Sequence, residues 1–141
     1  MDLVIVGSMG YDDIETPVAT GSDILGGSAV HAGVTASFDL QKTPEGICRV
    51  GMVAPVGMDF SDSHQRKLEE LGIDFSGVAK LPGKTFRWSG RYSGSMDNVE
   101  TISTEVNVLG DFSPEIPEQW RSPRVLFCAN THPSSQVSVL D

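Results

Sequence analysis

The chain is 141 residues long, 39% hydrophobic and 21% charged, with 19 acidic against 10 basic residues and a formal net charge of −9. That length fits one domain with a core of its own, and the surplus of carboxylates excludes a broad polyanion-binding surface, so nucleic acid is not an expected partner. No apolar run approaches a membrane span and the first seven residues lack the regions of a signal peptide, so no membrane partner is expected and the expected compartment is cytoplasmic.

Leu3-Val4-Ile5-Val6 is a β-branched run closed by Gly7, the pattern of a strand buried on both faces of a parallel sheet. Ligands gather at the carboxyl ends of such strands. Asp12 and Asp13 lie just beyond that end, and Asp12 reads either as a solvated loop carboxylate or as one facing a ligand. Gly21, Ser22 and Asp23 then read as turn residues. Gly26 and Gly27 follow, a pair that lets the backbone turn through positive φ and leaves its N–H groups uncovered. From Ala29 to Leu40 the residues are apolar nearly all round, which predicts a closely packed helix with its positive end beside the glycine pair. Neither the phosphate-loop ending nor the dinucleotide fingerprint is present.

Thr43, Pro44, Glu45 and Gly46 break the pattern, residues 47–53 predict a second strand, and Pro55 and Gly57 predict a turn. Asp62 with Gln65 three residues on reads as the cap of a helix that runs through Leu68 and Leu71 to Gly72, with Arg66 and Glu70 on its wet side. The period then becomes two. Phe86, Trp88, Gly90 and Tyr92 fall on one face and Thr85, Arg87, Ser89 and Arg91 on the other. After a loop at 94–98, Ile102, Thr104, Val106 and Val108 alternate with Thr101, Ser103, Glu105 and Asn107. A hairpin closed symmetrically sets Arg87 opposite Glu105 as a cross-strand ion pair. Its aromatic face must pack on the rest of the chain or on a second subunit, so a homodimer is one expectation.

Pro114 and Pro117 mark a return passage, and Val125 to Ala129 predicts another doubly buried strand, whose end carries Asn130 and Thr131. Those two read either as ligand-lining groups or as helix caps. His132-Pro133 opens a helix in which the sequence ends, as part of a longer protein would. Cys48 and Cys128 stand far apart and His31, His64 and His132 are scattered, so no metal site is expected. The alternation of strands and helices predicts an α/β sheet.

Taken in order, these stretches resemble the N-terminal half of the PfkB, or ribokinase-like, carbohydrate kinase family. The resemblance rests on Gly7-Ser8 with Asp12 after the first strand, on Gly26-Gly27-Ser28-Ala29, on Arg49-Val50-Gly51 through Val56-Gly57-Met58-Asp59, on Leu71-Gly72-Ile73-Asp74, and on Pro82-Gly83-Lys84-Thr85. It implies a Rossmann-like sheet with flanking helices plus a small β-strand lid, here an incomplete ribokinase-like fold. Residues 1–141 would be the N-terminal part of one such domain, with lid strands at roughly 12–24 and 84–110.

The resemblance also implies transfer of a phosphoryl group from ATP, with Mg, to a hydroxymethyl group of a sugar or nucleoside. Asp12 would hold substrate hydroxyls, since a carboxylate accepts bonds from adjacent hydroxyls, and the main chain at Gly26 and Gly27 would lie against the substrate. His31, Arg87, Asn107, Asn130 and Thr131 are the further substrate-binding candidates. His31 stands where family members commonly carry an Asn, and Thr131 near where ribokinases place a Glu. The family's second signature, with its catalytic Asp and anion hole, has no counterpart in the chain, so no catalytic residue is assigned and the chain alone is expected to be inactive. The alternative is a non-catalytic small-molecule-binding or dimerisation module of the same fold.

Overall fold

The computed structural model describes residues 1–40 and 49–140, so the expected break at Thr43–Gly46 and the start of the second strand at Ile47 and Cys48 lie outside the described residues. Nine strands and three helices follow in the order β1 (Leu3–Val6), β2 (Gly10–Glu15), β3 (Thr20–Gly26), α1 (Ser28–Leu40), β4 (Val50–Gly57), α2 (Asp62–Glu70), β5 (Ile73–Asp74), β6 (Val78–Leu81), β7 (Phe86–Ser93), β8 (Asn98–Glu105), β9 (Val125–Cys128) and α3 (Pro133–Ser138) among the described residues. They build two sheets. One is parallel, in the order β5-β4-β1-β9 with β6 on the far half of β4; the other runs β3-β2-β7-β8.

The parallel sheet is the body of the molecule. Val4, Ile5 and Val6 are fully buried and every residue of β4 is buried, as continuous apolar strands require when both faces are covered. On one face Ile5 and Met52 pack with Val30 of α1, Leu68 of α2, Met9 and Tyr11. On the other, Val4, Val6 and Val53 pack against Trp120. The indole lies so close to Gly51 and Gly77 that a Cβ there would come within 2.8 and 2.6 Å of it.

Several expectations are corrected here. β4 does not turn at Pro55 but continues to Gly57, pairing Ala54–Gly57 with Val78–Leu81 of β6. Gly7 donates its N–H to Val53, so the odd-numbered groups of β4 face β1. That pairing ends at Val53, and the missing N–H of Pro55 falls beyond it, where no ladder bond is lost. α2 is capped by Ser61 rather than Asp62, its hydroxyl accepting from the Ser63 N–H. Gly21, Ser22 and Asp23 lie within β3, and the turn before it is at Thr16–Ala19, where the Thr16 hydroxyl and the Ala19 carbonyl bond.

α1 is buried on one side only: Ala29, Val30, Gly33 and Ser37 face the sheet, whereas Phe38 is 55% exposed. Nor is β9 doubly buried. It is an edge strand, with Val125 and Phe127 about half exposed. Asn107 and Val108 leave the strand pattern for a single 3-10 turn, Asn107–Leu109.

In the second sheet the hairpin is present, and Arg87 stands opposite Glu105 in register. The ion pair expected between them does not form. Arg87 instead reaches Asp23 at 2.7 Å and Asp13 at 3.4 Å, carboxylates of β3 and β2.

Candidate functional site

The carboxyl ends of β1 and β9 meet the N-terminus of α1. Ser8 and Ser28 hold this junction by a reciprocal pair, each hydroxyl accepting the other's backbone N–H at 3.0 Å. The Ser28 hydroxyl donates to the carbonyl of Asn130 at 2.6 Å, and the Ala29 N–H donates to the Ser8 carbonyl at 2.9 Å. Gly7 is required because a Cβ would meet the Ser28 hydroxyl at 2.7 Å and the Ala129 methyl at 2.9 Å. Gly27 is required twice over, by its φ of +102° and by the Ser8 main chain against it.

Asp12 enters from β2. It pairs with Ile24 of β3 and with Trp88 of β7, and its carboxylate lies over Gly26, where any side chain would collide with it. Among the described residues no group donates a hydrogen bond to this half-buried carboxylate. Burial raises its pKa, with the charge of His31 opposing and that of Asp13 adding to the shift. His31 sits one turn into α1, exposed, with its N–H on the Gly27 carbonyl. The structure thus brings Asp12, Gly26, Gly27 and His31 to one place, with Asn130 and Thr131 at the neighbouring strand end.

No protein-family model matches the chain, and no curated protein matches it in sequence. Solved structures do. The ribokinase of Cryptococcus neoformans var. grubii, in complex with ADP, superposes with a TM-score of 0.68 at 15% identity, over 96% of this chain and 43% of that one. A nucleoside kinase of Methanocaldococcus jannaschii, an archaeal member of the ribokinase family, gives 0.65 at 14% identity over 98% and 48%. The Burkholderia thailandensis nucleoside kinase in complex with inosine gives 0.57 at 18% identity over 76% and 37%.

The chain has the ribokinase-like fold. It spans less than half the length of each of these three structures.

Two sequence candidates fall outside the cluster of this ribokinase-like chain. Side chains alternate along β2, so Asp12 faces one side of the sheet while Tyr11 and Asp13 face the other. Arg87 is on that other side, over the Tyr11 ring at 5.4 Å and bonded to Asp13 and Asp23, and so does not reach across to Asp12. Asn107 is committed to the root of the hairpin, where its amide donates to the Thr85 carbonyl at 3.0 Å.

Sequence reasoning missed the groups that fix the second sheet to the body. Asp59 accepts both the N–H and the hydroxyl of Thr85 at 2.7 Å, and the Thr85 hydroxyl accepts the Gly57 N–H at 3.0 Å. The pKa of Asp59 is lowered: its partial burial pushes it up, and the two bonds from Thr85, its own backbone N–H and the charge of Arg87 together outweigh that. The sequence pattern of this clamp, Gly57-Met58-Asp59 before a helix and Gly83-Lys84-Thr85 before a strand, is visible only once the two stretches are known to touch.

Proposed function

We propose that the chain forms the substrate-binding part and lid of a cytoplasmic small-molecule kinase that phosphorylates a hydroxymethyl group of a sugar or nucleoside. The observation that carries this reading is the Asp12 carboxylate: half-buried, without a donor among the described residues, and set directly over Gly26, which has no side chain to cover it. Such a group holds vicinal hydroxyls, which supply the donors it lacks. His31 both donates and accepts and would contact a further hydroxyl or a base; Asn130 and Thr131 would line the strand-end side. Trp88, on the same sheet face as Asp12, offers an apolar wall. Two of the similar structures are named nucleoside kinases and one a ribokinase, which agrees with a polyol ligand.

ATP with Mg would be the phosphoryl donor in the complete reaction. Among the described residues no three His, Cys, Asp or Glu side chains converge on a metal ion, and a Mg ion delivered on ATP phosphates asks for only one or two carboxylates. Asp13, the carboxylate next to Asp12, faces the other side of the sheet and is engaged by Arg87. The chain by itself is proposed to bind without turnover. Among the described residues, no helix is long and apolar enough to cross a membrane.

Nuclear magnetic resonance titration with ribose, fructose, adenosine and inosine tests the reading. At least one should shift the amide signals of Gly26 and Gly27, and Asp12→Ala should abolish that response while leaving the spectrum otherwise folded. Silence of both amides towards all four would refute it.

A dimerisation role through the lid is the second reading, favoured by β8, all eight residues of which are exposed, with Val99 and Ile102 about half exposed. Sedimentation equilibrium distinguishes it by mass.

A further inference from the structure

The second sheet is pinned to the body by a buried tyrosine. Tyr11 of β2 is 4% exposed and enters the main core, its ring 5.8 Å from that of Phe60 and 5.5 Å from the His64 imidazole. Its hydroxyl meets two groups at the start of α2. The Ser61 backbone N–H lies 3.0 Å away and His64 Nδ1 lies 3.2 Å away. A backbone N–H can only donate, so the phenol oxygen accepts there; the contact with Nδ1 takes either direction according to the imidazole tautomer, and in one of them the phenol donates to it. That arrangement works only while Nδ1 is bare, in the neutral imidazole. Burial pushes the phenol's pKa up, so the proton it donates is retained across the neutral range.

We propose that Tyr11 donates to a bare His64 Nδ1 and that this bond is a pH-sensitive latch, which holds β2 and with it Asp12 against the body at neutral pH and loosens when His64 takes up a proton. Protonation places a hydrogen on Nδ1 and leaves the Tyr11 hydroxyl proton without its acceptor in a buried site. It also adds a cation beside a ring that already carries the Arg87 guanidinium on its face.

The charged groups around the pair are Arg87 from β7, Asp23 from β3, Asp13 from β2 and Asp59 from the turn before α2. On the same helix Asp62 and Lys67 lie within a turn of His64. Arg87 pairs with both Asp13 and Asp23, one positive charge against two negative ones. Asp12 is the next residue along β2 and faces the opposite side of the sheet, so any release of Tyr11 moves the carboxylate of the candidate site. The latch itself does not depend on what that site binds.

Amide hydrogen-exchange protection factors along β2, corrected for intrinsic exchange, test this at about pH 7.5 and about pH 5.5, which span the range where histidine side chains change charge. The intact chain should lose protection about five- to tenfold at the lower pH, the worth of one hydrogen bond. His64→Asn, whose amide oxygen can stand where Nδ1 stood, should hold the higher protection at both pH values. Tyr11→Phe keeps the ring and should show the lower protection at both. His31 is the other imidazole near β2, and His31→Asn should still show the wild-type loss. An unchanged intact chain, an equal loss in His64→Asn, or a loss abolished by His31→Asn would each overturn the proposal.

Discussion

β4 and β8 are both eight residues long, and they are opposites. Every residue of β4 is buried and every residue of β8 is exposed. β4 runs between β1 on one side and β5 and β6 on the other, under helices and Trp120; among the described residues β8 pairs with β7 alone. The position of β4 is therefore fixed by packing on both faces, and that of β8 by one ladder of backbone bonds. The body of the molecule is an ordinary core, whereas the second sheet is attached to it by a few specific contacts: Thr85 on Asp59, Asn107 on Thr85, and Tyr11 on Ser61 and His64.

The contrast is broken most directly at Trp120. Trp120→Ala removes a side chain packed against Gly51, Gly77 and the far face of β1 and β4, and should cost about 3–5 kcal/mol. Urea unfolding measures it, and a loss below about 1 kcal/mol would show that this face is not a core.

The next largest effect is at the root of the β7–β8 hairpin. Thr85 is fully buried, and Thr85→Val leaves the Gly57 N–H unpaired and takes one of two donors from Asp59, at a cost of about 1–3 kcal/mol. The pKa of Asp59 is lowered in the fold, so its contribution is present above the ordinary carboxylate range and is lost as pH falls through the folded value. The acid limb of the stability curve should therefore be shallower in Thr85→Val. An unchanged limb would mean that the backbone N–H of Thr85 alone sets this carboxylate.

What was legible in the sequence follows the same division. β1 could be read because a doubly buried parallel strand is a continuous β-branched run, and the Arg87–Glu105 register because a hairpin's loop sets it. β4 was cut short at Pro55 because a proline reads as a breaker unless its neighbours are known, and here its missing N–H points past the end of β1. The real partners of Arg87 were hidden, since Asp13 and Asp23 come from strands that pair with β7 only in three dimensions. Asp12 and the glycine pair were recognisable because their spacing is local. The Tyr11 contacts were not, because Ser61 and His64 lie some fifty residues away. β9 was misjudged because its apolar run describes what could cover it and not what does.

Asp12 sharpens the comparison by carrying the opposite sign to Asp59. Its pKa is raised by burial, so the folded state favours the protonated acid. Stability from this group is greatest below the ordinary carboxylate range and falls as pH rises through the window up to the folded value. Asp12→Asn removes that penalty. At neutral pH the variant should be at least as stable as the parent in urea, while failing to respond to any polyol. A clear loss of stability would show that Asp12 is a structural group like Asp59 and would remove it from the candidate site.

The smallest effect belongs to β8. Ile102 is half exposed and lies where the ladder to β7 shifts register, so in a monomer Ile102→Ser gives up little burial and should change stability by no more than about 0.5 kcal/mol. That expectation holds only while the face stays in water. If a second copy covers it, the same substitution places a hydroxyl in an apolar interface, and the loss becomes dependent on protein concentration because association contributes to stability by mass action. Unfolding at two concentrations a hundredfold apart, with sedimentation in parallel, separates the cases. Concentration-independent midpoints for parent and variant leave β8 as a solvated lid strand; a parent midpoint that rises with concentration, and a variant midpoint that does not, make it the interface.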